Sequence, residues 1–154
     1  MLTKRNALAV SFILLISAVA HLPAAAAGEA INATDDDIAI LGYDPVAYFT
    51  EAQPLLGDPQ FEHVWQDARW HFASAEHRDL FSAEPRRYAP RYGGFCAGAM
   101  AEGWKAPIDP EAWVIIDDRL YLAFNKHGIE QFATEPDTNI AKADTNWEQL
   151  GQTE

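Results

Sequence analysis

Apolar and polar positions change rhythm several times along the chain, and each change marks an element. Residues Phe61 to Trp65 and Arg69 to Ala73 are rich in aromatics and flank Gln66-Asp67-Ala68, which predicts a β-hairpin with a three-residue turn. Alternation puts His63 on the face of Phe61 and Trp65, and turns His71 away from Trp70 and Phe72. Ser74 then serves as an N-cap for a helix over Ala75 to Ala83, with Leu80 and Phe81 expected inward. Pro85 and Pro90 bracket a short turn containing Tyr88. Gly93-Gly94 opens a small-residue helix over Phe95 to Glu102 that Gly103 ends. A second hairpin follows over Trp113 to Ile116 and Leu120 to Phe124, about Asp117-Asp118-Arg119. Asn125 caps a helix to about Thr134, and a last helix from about Thr138 to Leu150 presents Ile140, Trp147 and Leu150.

Upstream, Ile38 to Phe49 reads as a short apolar strand punctuated by Gly42, with Asp44-Pro45 at a turn or a helix start. Hairpins and helices follow one another without a βαβ rhythm. The expected class is therefore α+β, a small single domain with two β-hairpins packed against several short helices. Reading along the chain discloses no internal repeat.

The first 27 residues have a different pattern. Lys4-Arg5 precedes an uncharged apolar run from Leu8 to Ala20, and small residues through Ala25-x-Ala27 follow. This is the three-part pattern of a secretory leader cleaved after Ala27. The run is shorter than the ~20 residues that span a bilayer, so no stable membrane insertion is expected after cleavage. Residues 28–37, ending in Asp35-Asp36-Asp37, read as a flexible arm, and the domain occupies 38–150. The expected location is periplasmic or secreted.

Composition narrows the chemistry. A net charge of −12 argues against nucleic acid as a partner, because phosphates would be repelled. A single cysteine excludes an internal disulfide and a four-cysteine zinc site. There is no His-Glu-x-x-His, phosphate-cradling glycine loop or Gly-x-Ser-x-Gly. His71 and His77 lie near a strand-to-helix junction, where they can converge. Cys96 and Met100 are spaced i, i+4, so one helix face would carry both sulfurs, and that pairing favours Cu(I). The small neighbours of Cys96 fit equally an inert, packed thiol, and a reactive thiol is the third reading. His63 reads as a core or edge histidine and His127 as exposed. Tyr88, Tyr92 and Trp104 read as core or rim aromatics rather than a ligand cage.

Two stretches carry a family likeness. The string Gly42-Tyr43-Asp44-Pro45-Val46-Ala47-Tyr48-Phe49, the frame from Trp70 through Phe72-Ala73-Ser74 and Phe81 to Pro85-x-x-Tyr88, and Tyr92-Gly93-Gly94-Phe95-Cys96-Ala97 together resemble the secreted, cysteine-poor branch of YHS-domain proteins over about residues 38 to 150. Metal-associated members carry cysteines where this chain has Ala73, His77 and Ala47. The resemblance implies a small α+β module that is not an enzyme and handles a transition metal, copper above all, with an unknown protein or metal-handling partner. The expected ligands are His71, His77 and Cys96, with Met100 as a soft extra. The alternatives are a metal-free binding or scaffolding module using the same fold, and a thiol-dependent enzyme using Cys96. The last needs a base brought by the fold, since no His lies within 15 residues of Cys96.

Overall fold

Two hairpins organise the chain, and both close through two residues with left-handed backbone. In a computed structural model that describes residues 30–152, β1 (Asp58–Trp65) pairs with β2 (Ala68–Phe72), and β3 (Asp109–Ile116) pairs with β4 (Arg119–Ala123), each antiparallel and each its own two-stranded sheet. The turns are Gln66-Asp67, with φ 51° and 58°, and Asp117-Asp118, with φ 49° and 56°. Positive φ at both central residues matches the right-handed twist of the strands, and Asp tolerates it better than most residues. The loops are thus one residue shorter than the three expected. The expected leader, residues 1–27, lies outside the described residues.

Helices α1 (Ala47–Thr50), α2 (Ala75–Ala83), α3 (Pro85–Tyr88), α4 (Ala97–Ala101), α5 (Lys126–Thr134) and α6 (Pro136–Leu150) surround the hairpins, so the domain is α+β as read. Ser74 and Asn125 cap α2 and α5 through their side chains. Pro85 and Pro136 end one helix and begin the next, because proline gives up an N–H that a first turn does not need. Trp70, Phe72 and Phe81 are completely buried and their rings meet at 5.0–5.1 Å, while Trp65 packs on Phe81 from the edge. Trp113 instead stands against Tyr48, ring centroids 5.3 Å apart. Leu80, expected inward, is 37% exposed. It adjoins Phe81 in a helix that turns about 100° per residue, and the narrow buried face is taken by His77 and Phe81. The segment read as a strand before Asp44 is a left-handed turn, Ile40–Gly42.

Against the expectation from the sequence, the domain is built from two copies of one unit. From Asp58 and Asp109 onward, every boundary through both hairpins and the helices after them, up to Pro85 and Pro136, recurs after a step of 51 residues. Both long strands carry the same irregularity, where Asp58 faces Phe72 but Glu62 already faces His71, and Asp109 faces Ala123 but Trp113 already faces Leu122. Asp58 and Asp109 accept from the backbone N–H two residues on, at 2.9 and 3.0 Å. Glu84 and Glu135 share the same kinked backbone, φ −138° and −129° with ψ 64° and 67°.

Upstream the step becomes 52. Ile40, Leu41 and Gly42 have φ 41°, 58° and 80°; Tyr92, Gly93 and Gly94 have 57°, 59° and 82°. Only the third residue of each triplet, Gly42 or Gly94, is glycine in both, which is one matching pair and no visible repeat. Between the units the arm is fastened rather than loose. Ala30 N–H donates to the Gly151 carbonyl and Asn32 N–H to Gly93, both at 2.8 Å, and Asn32 Nδ2 donates to Gly94. Gly93 is required there because a Cβ would run into the Ala30 carbonyl; its left-handed φ alone would not demand glycine, since Leu41 adopts nearly the same φ at the equivalent position.

Candidate functional site

The repeat puts Asp44 and Cys96 in the same place. Asp44 N–H donates to the Leu55 carbonyl at 2.8 Å, and Cys96 N–H to the Ala106 carbonyl at 3.0 Å. Each side chain then accepts from the helix that follows it: Asp44 Oδ1 from Val46 N at 2.8 Å and Ala47 N at 3.3 Å, and Cys96 Sγ from Ala99 N at 3.5 Å. Each also accepts from the strand-to-helix junction of its own unit, Asp44 Oδ2 from Ala73 N at 2.8 Å and Cys96 Sγ from Phe124 N at 3.3 Å. Both residues are helix caps by position and junction clamps by reach.

The third partner differs. In the first unit His77, the third residue of α2, lays its ring against Asp44, with Nδ1 2.6 Å from Oδ2. His77 Nε2 lies 3.2 Å from Thr50 Oγ1, which in turn donates to the Val46 carbonyl at 3.3 Å. An Asp–His–Thr chain of this kind has the connectivity of a nucleophilic triad. Asp44 and His77 are buried and Thr50 is exposed, its hydroxyl shared between the His77 ring and the Val46 carbonyl, and the Asp44–His77 pair ties α2 to the start of α1 as a clamp. In the second unit the residue at His77's place is Gly128. Glycine offers no side chain toward Cys96 from that position.

A cavity of about 600 Å³ opens beside Cys96, and Gly98, Ala99, Ala106 and Gly128 contribute little to filling it. Phe132 forms part of its wall. Trp104 and Phe124 line it while remaining 56% and 58% exposed. Its polar lining comes from Glu102, Gln131 and Asn139, and among the described residues no histidine, lysine or arginine borders it. A large apolar concavity with a few polar groups is the usual form of a small-molecule site.

The four residues expected to hold metal do not meet. His71 is buried at the other hairpin, its Nε2 3.2 Å from Glu62 Oε2, with the Arg69 guanidinium on the same oxygen at 2.8 Å. Arg69 first, then His71, hold the Glu62 carboxyl below its usual range. His77 belongs to Asp44, and Cys96 lies at the cavity. Cys96 is the N-cap of α4, and fully buried Met100 lies one turn on, its N–H donating to the Cys96 carbonyl at 2.9 Å; Met100 does not border the cavity. Among the described residues no group of three or more His, Cys, Asp or Glu side chains is arranged to hold an ion.

Of the site residues, sequence reasoning found Cys96 and missed Asp44, Phe124 and Gly128. The available signal was Gly128 itself, a glycine in the first turn of a well-capped helix. Helical glycine costs roughly 0.5–1 kcal/mol relative to alanine. Gly128 is not among the glycines with positive φ, and an added Cβ would come no closer than 3.4 Å to Asn125 Oδ1. No protein-family model, curated protein or solved structure matches the chain.

Proposed function

We propose that the chain is a metal-free binding module whose ligand site is the cavity beside Cys96, taking a small, mainly apolar molecule. The observation that carries this reading is the pairing of an apolar cavity of about 600 Å³ with two aromatic side chains, Trp104 and Phe124, more than half in water. Exposed aromatic surface around a concavity is uncommon in the absence of a ligand or partner. Glu102 is the only charged residue of the lining, and the whole protein carries −12, so a neutral or cationic molecule is favoured over an anion.

The thiol-enzyme reading finds less support. The Cys96 sulfur accepts two backbone N–H groups, and no histidine borders the cavity to serve as its base. The copper reading lacks a convergent donor set. That the module works outside the cytoplasm, and that it is a YHS-type domain, remain parts of this proposal. They rest on the leader-like residues 1–27 and on the motif strings around Asp44-Pro45-Val46 and Cys96.

N-phenyl-1-naphthylamine, a neutral dye that brightens in apolar surroundings, tests the reading. It should bind at one saturable site per chain. Replacing both exposed rings, Trp104→Ser with Phe124→Ser, should weaken it by about tenfold, as expected for losing one or two aromatic contacts. Dye binding that does not saturate, or that ignores the double substitution, would remove the basis for the proposal.

A further inference from the structure

The two units differ at their equivalent centres in one informative way. In the first, the space between the cap residue and the nine-residue helix is occupied by the His77 ring. In the second, Cys96 stands for Asp44, Gly128 stands for His77, and the space is open to the cavity. Matching hydrogen bonds fix the frame in both. The cap residue's N–H donates to a carbonyl (Leu55 or Ala106), and its side chain receives the junction N–H (Ala73 or Phe124) and an N–H of the following helix. Ser74 and Asn125 cap the two helices through the N–H of His77 and of Gly128 themselves, so these residues occupy the same helical position. The protein therefore contains, in its first half, a picture of what the second half can hold.

From this the geometry points to a ligand class: a flat heteroaromatic ring that enters beside Gly128, takes the place of the missing imidazole, and turns an edge toward Cys96 Sγ. The inference rests on the cavity being a ligand site and goes further in naming what fits it. Three features set the ring's character. A thiol at the carboxylate's position is a weak acceptor, so the ring is not required to be a cation, as the partner of a buried carboxylate would tend to be. Phe124, Phe132 and Trp104 offer aromatic faces and edges, against which planar rings pack better than puckered ones. The cavity's volume, about 600 Å³, is far larger than one imidazole, so a fused or substituted ring is accommodated.

Gly128 is then the residue that defines the site. Neither backbone strain nor crowding demands a glycine there, and its cost to the helix is accounted for by the space it leaves. Benzimidazole is the probe, with 2-cyclohexylethanol as a puckered control of comparable size, each titrated by calorimetry into the protein. Benzimidazole should bind at one site and at least about tenfold more tightly than the control. Gly128→His, which restores the ring, should weaken benzimidazole binding by at least about tenfold with the fold intact by circular dichroism.

A reciprocal measurement covers the case in which Gly128→His fails to fold. In His77→Gly, free imidazole should raise the thermal midpoint by more than the same addition raises that of wild type, in which only the second centre is open. Gly128→His binding benzimidazole like wild type, or His77→Gly responding to imidazole no more than wild type, would overturn the equivalence of the two centres. The puckered control binding as well as benzimidazole would overturn the ring assignment and leave the cavity as a ligand site. Failure of both probes together with the naphthylamine dye would instead overturn the proposed function.

Discussion

Asp44 is completely buried, and its removal offers a direct measure of how much one carboxylate holds together. Its two oxygens receive four donors: Val46 N and Ala47 N at the start of α1, Ala73 N at the β2–α2 junction, and the His77 imidazole on α2. Asp44→Ala leaves three of these with bonds of 2.8 Å or less to replace, those of Val46, Ala73 and His77. A buried polar group left unsatisfied costs about 1–3 kcal/mol, and water entering the vacated space recovers part of it. The expected loss is roughly 3–6 kcal/mol, comparable with the whole stability of many domains of this size.

Asp44→Asn keeps an acceptor for α1 but turns an amide toward one of the remaining donors, so its cost should be about 1–3 kcal/mol. Asp44→Cys copies the arrangement at Cys96. It can serve α1 and the junction but not the imidazole, and should fall between wild type and alanine. Urea unfolding followed by tryptophan fluorescence gives these values, with unchanged slopes confirming that one transition is being compared. A loss below about 1 kcal/mol for Asp44→Ala would show that the four contacts are not what fixes this junction.

Other outcomes follow from the same structure. Phe81→Ala should cost about 3–5 kcal/mol in urea unfolding, because the ring is fully enclosed by Trp70, Phe72 and Trp65, whereas Phe132→Ala, already beside a cavity, should cost less. Gly128→Ala should raise stability by up to about 1 kcal/mol, measured the same way. Tyr48 and Tyr92 donate to the Pro110 carbonyl and to Asp144, and burial first, then nearby Tyr43 for Tyr48 and Asp144 for Tyr92, pushes both phenols well above the usual tyrosine range. Because the folded state holds these protons more tightly, their contribution is full below about pH 10 and is lost as pH rises beyond it. Tyrosinate absorbance for this pair should therefore appear together with loss of circular dichroism, and titration of all tyrosines in an intact fold would contradict it. Intact mass of protein from the periplasmic fraction should correspond to a chain beginning near Gly28, and a full-length product held in the membrane would contradict export.

The elements that the sequence made legible are those marked by local chemistry. Aromatic alternation located both hairpins, Ser74 and Asn125 located the starts of α2 and α5, and Pro85 and Pro136 located their ends. The duplication was hidden because the units share mainly punctuation: Asp58-Pro59 with Asp109-Pro110, Asp67 with Asp118, Phe81 with Phe132, and Glu84-Pro85 with Glu135-Pro136. What repeats is backbone conformation and capping, which different side chains satisfy equally. The sequence did not join His77 to its partner because Asp44 is 33 residues upstream. The cavity was invisible for a related reason. It is made by small residues from α4, α5 and the loop between α4 and β3, and absence of side-chain volume leaves no periodic trace.

The bond from Ala30 N–H to the Gly151 carbonyl makes the residue that follows α6 the clasp for the segment that leads into the first unit. Residue 151 must leave the ribosome before residue 30 can be fastened, so closure of the domain waits on its last helix. Under the export proposed above, a clasp still open would keep the polypeptide threadable. It also sets residues 30 and 151 side by side. A circular permutant that joins these two residues through a short linker and opens the chain at the Gln66-Asp67 turn would reverse the order of closure, with the clasp present from the start and the first hairpin formed last.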